Sequence, residues 1–340
     1  MFNSVVFYQH WHYGDCLVGK AYVRMLIDHL KQFGDIKFHY THPCGPKVLA
    51  DIPAEYVPWS IGETIVPSMN DKVVLKENTL FINTWIGAYI SFFAPDQVHG
   101  NFPTLNTTWK CVFYIIENML NTRILSAPVL EQYKRLPTVD MLPTTDWSFY
   151  DISAAQEFVK NKKEIVLFCN SRTASCQTRN SGIEYMIDTI NSIAQKNPLT
   201  TFVCTQRIPI NNMYGNIFFT DDIFANVTGG DINEIAYLST FCKMIIGKSS
   251  GPYTFCHVRD NIMRDNCIFY CITDRQSDCL LYNFFDSKSR NYHFIGKEEG
   301  AAEFTIDAIL NNRLENLSQF AVFSDTNFIN LQKQMDYRNH

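Results

Sequence analysis

Four stretches of this chain carry side chains that can grip or move charge. The first is Met244 to Phe255, MIIGKSSGPYTF. An apolar run ends at Gly247, and Lys248, Ser249, Ser250, Gly251 and Pro252 lead into an apolar, helix-compatible segment. A strand that turns through small hydroxyl residues into a helix makes an anion site, because the first helical turn has free N–H groups and a positive dipole end. Lys248 adds a full charge, the serines can cap the helix or donate to phosphate oxygens, and Gly251 lets a ligand approach the backbone. The same residues also read as an ordinary capped turn.

The second stretch is His10-Trp11-His12-Tyr13-Gly14-Asp15, directly after an apolar run at Ser4–Gln9. Asp15 reads two ways there. It can cap the helix that follows, or it can accept a proton from a hydroxyl as a general base, and one residue can do both. His10 and His12 lack a third ligand at a recognisable spacing, so no metal is expected on them. His12, Tyr13 and Gly14 become candidate substrate contacts, together with Trp85, which follows the run TLFIN at 79–83. The third and fourth stretches are Asn170-Ser171-Arg172-Thr173, after EIVLFC, and Thr205-Gln206-Arg207, after a run at 201–205. With Lys248 they collect cations and hydroxyls suited to a diphosphate. Each arginine taken alone also reads as one half of a surface ion pair.

These groups need elements to hold them. Apolar runs at Ser4–Gln9, Ile36–Tyr40 and Thr79–Asn83, with a helical pattern over Leu17–Phe33 stopped by Gly34, predict a parallel β-α-β start. A weaker strand signal sits near Val73, and helical spacing recurs over 107–120 and 129–135. Leu136 to Trp147, with two prolines among Thr and Asp, reads as a linker. The alternation then restarts: helix at 152–160, strand at 164–169, helix at 182–195, strands at 201–205 and 216–219, helix at 231–242 capped by Asp231, strands at 243–247 and 267–272. Residues 302–311 and 317–335 read as helices. This predicts an α/β chain of two Rossmann-like, doubly wound domains facing a cleft, at 1–145 and 146–312, with a helical segment at 313–340 crossing back. Open parallel sheets bind ligands beyond their strands' carboxyl ends, where all four stretches fall.

Composition sets outer limits. The chain has 340 residues, 46% hydrophobic and 19% charged, which suits globular domains with real cores. A net charge of −5 with interspersed signs argues against a nucleic-acid binder. The 11 cysteines are scattered without a CxxC pair, and several, such as Cys169, Cys204, Cys267 and Cys271, lie in apolar runs. With no signal-peptide pattern this reads as a reducing, cytoplasmic setting, and no run is long enough to span a membrane. Peripheral attachment to a membrane stays open. No GxGxxG follows the first strand and no GxxxxGK[ST] occurs, which weakens dehydrogenase and P-loop readings. No DxD pair is present to bridge a metal to a nucleotide diphosphate, so arginine, lysine and helix N–H groups would neutralise it.

Two segments together resemble a family. GDCLVGKAYVRML at 14–26 and DINEIAYLSTFCKMIIGKSSGPYTF at 231–255 are similar to two-domain glycosyltransferases of the GT-B type, above all the ADP-heptose:lipopolysaccharide heptosyltransferases. Those enzymes carry a Gly-Asp turn after the first strand, and a D-x-x-E-x-x-x-L helix before a strand ending in Ser-Gly-Pro. The resemblance implies that Asp15 is the base, that Ser249, Ser250 and Gly251 hold the diphosphate, and that Asn170 to Thr173 form the first phosphate loop. It places Asp231 and Glu234 on the helix leading into the turn. The family usually has Asp before Ser-Gly, where this chain has Ser249 preceded by Lys248, and His two residues after the proline, where it has Thr254. Its implied activity is transfer of a sugar from a nucleotide-diphosphate donor to a hydroxyl acceptor, such as a glycan or lipopolysaccharide, with no cofactor and no metal. A nucleotide-sugar epimerase or hydrolase of the same fold, drawing on Asp221, Asp222 or Glu234, and a binding protein without activity are the alternatives.

Overall fold

Valine, isoleucine and aromatic residues in short unbroken runs suit strands buried on both faces, and the chain folds them that way. The computed structural model describes residues 2–85, 87–89, 101–121, 144–170, 184–210, 213–247, 250–273, 287–295, 300–313 and 322–324. Among these, two compact units separate between Tyr150 and Asp151.

The first unit is a five-stranded sheet in the order β3-β2-β1-β5-β4. Its strands are β1 (Ser4–Tyr8), β2 (Lys37–Thr41), β3 (Glu55–Tyr56), β4 (Val73–Lys76) and β5 (Thr79–Asn83). The strand at Val73 is present but runs antiparallel to β5, because the two-residue turn between them allows only a hairpin. The other pairings are parallel. Helix α1 spans Tyr13–Leu30, four residues earlier than the apolar pattern suggests, and a short 3-10 turn at Lys31–Phe33 carries it to Gly34, whose φ is 131°. Helix α2 (Trp59–Ile65) has no counterpart in the sequence reading, and α3 covers Asn101–Leu120. The helix read at 129–135 lies outside the described residues, as does most of the 136–147 linker.

The second unit is a seven-stranded sheet in the order β12-β11-β10-β9-β6-β7-β8. It contains β6 (Ile165–Cys169), β7 (Thr201–Cys204), β8 (Ile217–Phe219), β9 (Met244–Gly247), β10 (Ile268–Thr273), β11 (Arg290–Ile295) and β12 (Val322–Ser324). All neighbours pair in parallel except β11 and β12. Helices α4 (Ser153–Val159), α5 (Glu184–Lys196), α6 (Thr220–Ile223), α7 (Ile232–Ser239), α8 (Gly251–Phe255), α9 (Arg259–Ile262) and α10 (Ala301–Leu310) connect them. Its core gathers Phe168, Ile190, Phe202, Ile246, Tyr270 and Ile306, all inaccessible to solvent. Two readings change here. The helical pattern over 317–335 does not hold at Val322–Ser324, which is an antiparallel edge strand. Asp231 precedes α7 as read, but its side chain makes no cap bond to the helix.

Candidate functional site

In the first sheet β1 lies between β2 and β5, so the chain winds one way from β1 to β2 and the other way to β5. The crevice at such a reversal is where α/β sheets take their ligands. The residues leaving β1 and β5 at that point are His10 to Asp15 and Thr84 to Trp85.

Asp15 is the third residue of α1 and half-buried. Its Oδ2 accepts a hydrogen bond from the His12 amide at 3.4 Å, and the Trp85 side chain bonds the same carboxylate. Asp15 is therefore not the N-cap of α1, a place His12 takes; from the third helical position its carboxylate closes a capping box onto the His12 amide. Burial pushes its carboxyl above the ordinary range, opposed by the His12 amide and charge and by Trp85. A raised carboxylate is a better proton acceptor than an ordinary aspartate. His12 and Tyr13 are exposed beside it, Gly14 is half-buried, and the Trp85 ring packs on Trp11 with centroids 4.9 Å apart. A Cβ on Gly87 would fall 2.1 Å from the Trp85 ring, so that glycine makes room for it. His10 instead faces the Pro67 carbonyl at 3.3 Å and edges onto Trp59 as part of the wall. Asp15, His12, Tyr13, Gly14 and Trp85 are thus brought together.

The helix that carries Asp15 is anchored from below. Lys20 on α1 is 2% exposed and donates to Asp51 Oδ2 at 2.6 Å. Arg24 (2.9 Å), the Tyr150 hydroxyl (2.6 Å) and the Asp146 amide (3.2 Å) reach the same carboxylate. Burial lowers the Lys20 pKa, with Asp51 acting the other way.

The second sheet has its own reversal between β6 and β9, which pair so that Cys169 lies opposite Gly247. Asn170, Arg207 and Ser250 follow the strands around it. Their side chains behave differently from those of the first unit. Asn170 is buried, donates to the Gln206 carbonyl at 3.0 Å and accepts from the Gln206 amide at 2.9 Å, bracing the ends of β6 and β7. Arg207 is exposed, ion-paired to Asp222 and set over the Phe219 ring at 4.6 Å. Its surface ion-pair reading is thus realised. Glu234 is fully buried, with Oε1 accepting from the Asp151 amide at 3.1 Å. Ser250 precedes α8 and is 5% exposed, and its Oγ has no hydrogen-bond partner among the described residues. Gly251 and Pro252 beside it are half-buried. Ser171, Arg172, Thr173, Lys248 and Ser249 lie outside the described residues.

Gly247, Ser249 and Gly251 also have the G-x-S-x-G spacing of a turn that presents a nucleophilic serine. The described His257 places its Nδ1 against the Tyr253 carbonyl at 2.9 Å. Sequence reasoning missed three features: the Lys20–Asp51 anchor, the Trp11–Trp85 pair, and a trio of Cys16, His42 and Cys44 whose ligand atoms lie within 4.8 Å of one another. Spacing could not reveal the trio, because strand β2 separates its members and no motif joins 16 to 42.

No protein-family model matches the sequence, and no curated protein matches it. Solved structures do. The chain is similar to E. coli ADP-heptose lipopolysaccharide heptosyltransferase II, with a TM-score of 0.51 at 12% identity over 94% of this chain and 99% of that one. Others are a glycosyl transferase family 9 protein from Veillonella parvula (TM-score 0.45, 10% identity, 98% of this chain and 96% of that one) and an E. coli heptosyltransferase solved with ADP (TM-score 0.45, 12% identity, 91% and 99%). The first of these establishes a shared fold, two doubly wound α/β units, in line with the expected architecture.

Proposed function

We propose that this chain is a glycosyltransferase that moves a sugar from a nucleotide-diphosphate donor to a hydroxyl acceptor such as a glycan. The observation that carries the reading is Asp15, a partly dehydrated carboxylate at the switch point of the first sheet, flanked by His12, Tyr13 and Trp85. That is the placement of a base for an acceptor hydroxyl with aromatic walls for an apolar sugar face. The fold shared with a heptosyltransferase supports it.

In this reading the first unit binds the acceptor. The second unit binds the donor at the β6–β9 reversal, with Gly247, Ser250 and Gly251 letting the diphosphate reach backbone N–H groups. Arg172, Lys248 and Ser249 supply charge and donors there, in place of a divalent metal at the diphosphate. Arg207 joins by leaving Asp222, since an exposed pair contributes only about 0.2–1 kcal/mol. As the acceptor oxygen attacks the anomeric carbon, Asp15 takes its proton and the nucleoside diphosphate leaves with the bonding pair.

The test is turnover of nucleotide sugars with and without acceptors, in wild type and Asp15→Asn. The expected result is acceptor-dependent release of nucleoside diphosphate, lost in Asp15→Asn while nucleotide binding persists. Turnover retained by Asp15→Asn removes the base. Ester hydrolysis that needs no acceptor and vanishes in Ser249→Ala would replace the proposal with a hydrolase.

A further inference from the structure

We propose that Cys16, His42 and Cys44 bind a thiophilic divalent metal ion, zinc first, beside Asp15. Cys16 sits on the first turn of α1, and His42 and Cys44 on the loop leaving β2. Cys16 and His42 are inaccessible to solvent and Cys44 is half-buried. One ligand atom from each lies within 4.8 Å of the others, and among the described residues no other trio of potential metal ligands does so. Zinc–sulfur bonds of about 2.3 Å and zinc–nitrogen bonds of about 2.0–2.1 Å put tetrahedral ligands roughly 3.5–3.8 Å apart, so the trio needs only a small contraction.

The chemistry of the donor set points the same way. Two thiolates and one imidazole select zinc over magnesium or calcium. Two thiolates also cancel a dipositive ion, so the closed site carries no net charge, as a buried site requires. Binding forms two metal–sulfur bonds and one metal–nitrogen bond, and the two thiol protons leave to solvent. Gln9, itself fully buried, already directs Nε2 at Cys16 Sγ from 2.7 Å, the kind of outer contact that orients a ligating sulfur. The Tyr40 and Tyr56 rings edge onto His42 with centroids at 5.1 and 5.4 Å, and the Tyr56 hydroxyl holds the His42 carbonyl at 2.9 Å.

A second observation concerns His42 itself. Its Nε2 is buried without a partner among the described residues, while Nδ1 accepts from the Cys44 amide at 3.1 Å. A metal at Nδ1 would displace that single amide, and one at Nε2 would move the ring proton to Nδ1. Either exchange gives up that bond, and loss of the Cys44 thiol proton gives up its contact with the Trp11 carbonyl at 3.6 Å, a small loss beside three metal–ligand bonds. Three protein ligands leave a fourth position, which water can reach from the half-buried Cys44 side. An ion there would tie the β2 exit loop to α1 one residue from Asp15. Its role is to position that turn, and it takes no part in neutralising phosphate.

The test uses the full chain under reducing conditions, stripped by chelator and titrated with Co²⁺ alone, then Zn²⁺ alone. The expected result is one Co²⁺ per chain with a thiolate-to-cobalt charge-transfer band that Zn²⁺ abolishes. That band is lost in Cys16→Ser and Cys44→Ser, and binding is at least tenfold weaker in His42→Ala. Absence of the band, or its persistence in the double cysteine variant, overturns the proposal. Should those variants fail to fold, mapping of alkylated cysteines in wild type decides. Zn²⁺ must shield the half-buried Cys44 from a thiol reagent, and equal labelling of Cys44 with and without Zn²⁺ overturns it.

Discussion

The two sheet reversals of this chain are lined with different materials. At the first, the proposed function rests on side chains: Asp15 holds a carboxylate that burial makes more basic, and His12 and Trp85 meet it. At the second, the described side chains expected to bind a ligand are already engaged by the chain's own groups. Asn170 braces two strand ends, Arg207 pairs with Asp222, and Glu234 holds the Asp151 amide. What remains there is small and backbone-like: Gly247, Ser250 and Gly251. A proton-transfer site needs a side chain with the right pKa, whereas an anion site needs donors at close range, and peptide N–H groups supply those without side-chain entropy.

The sharpest break of this contrast is Asp15→Asn. Under the proposed function it lowers turnover roughly 10²–10⁴-fold, the usual worth of a general base, with nucleotide binding unchanged in a calorimetric titration. The same variant has a stability signature. Because the folded-state pKa of Asp15 is raised, the native chain holds its proton more tightly than the unfolded chain. Wild-type stability therefore falls as pH rises from the unfolded value, about 3.9, through the folded one. Asp15→Asn should melt above wild type beyond that window, and the gap should close below it. A melting temperature lower than wild type at neutral pH would make Asp15 a structural cap.

Next comes the support of the first site. Asp51→Ala leaves Lys20 buried without its carboxylate partner, which costs about 3–5 kcal/mol in a denaturant titration. A loss under 1 kcal/mol would show that α1 is held by packing alone. In the second site, Gly247→Ala places a Cβ 2.8 Å from Tyr253 Cδ2 and 2.9 Å from Cys169 Cβ. We expect about 1–3 kcal/mol of destabilisation from that overpacking. Ser250→Ala removes a buried hydroxyl with no partner among the described residues, so the melting temperature should hold or rise while nucleoside diphosphate binds about tenfold more weakly. Unchanged affinity would take Ser250 out of the donor site. The smallest effect belongs to Arg207→Ala, within about 1 kcal/mol in stability because its pair is exposed. A nucleotide-affinity loss above tenfold would show that it leaves Asp222 for the ligand.

Much of this molecule is legible in residue order because its strands are short, apolar and bounded by turns. Thr79–Asn83 is β5 to the residue, and the runs at 164–169, 201–205 and 243–247 each match a strand within one position. The gathering of His12, Asp15 and Trp85 is also legible, since parallel strands must deliver their following residues to one edge. Strand β11 is not, because RNYHFI opens on Arg290 and Asn291 and has His293 between its apolar residues, so it carries no apolar run longer than two residues. Helix α2 is only seven residues long, below the length at which helical periodicity stands out.

Residue order alone determined the class of fold, the strand-to-helix turns and the kinds of group beside them, because these depend on local pattern and on the handedness of crossovers. Only the tertiary structure decided which groups are spent and which are left over. It set Asn170 to bracing and Glu234 to the Asp151 amide, brought Asp51 under α1, and joined Cys16 to His42 and Cys44. A side chain's partners and its hydration depend on neighbours distant in sequence, and no spacing rule carries that information.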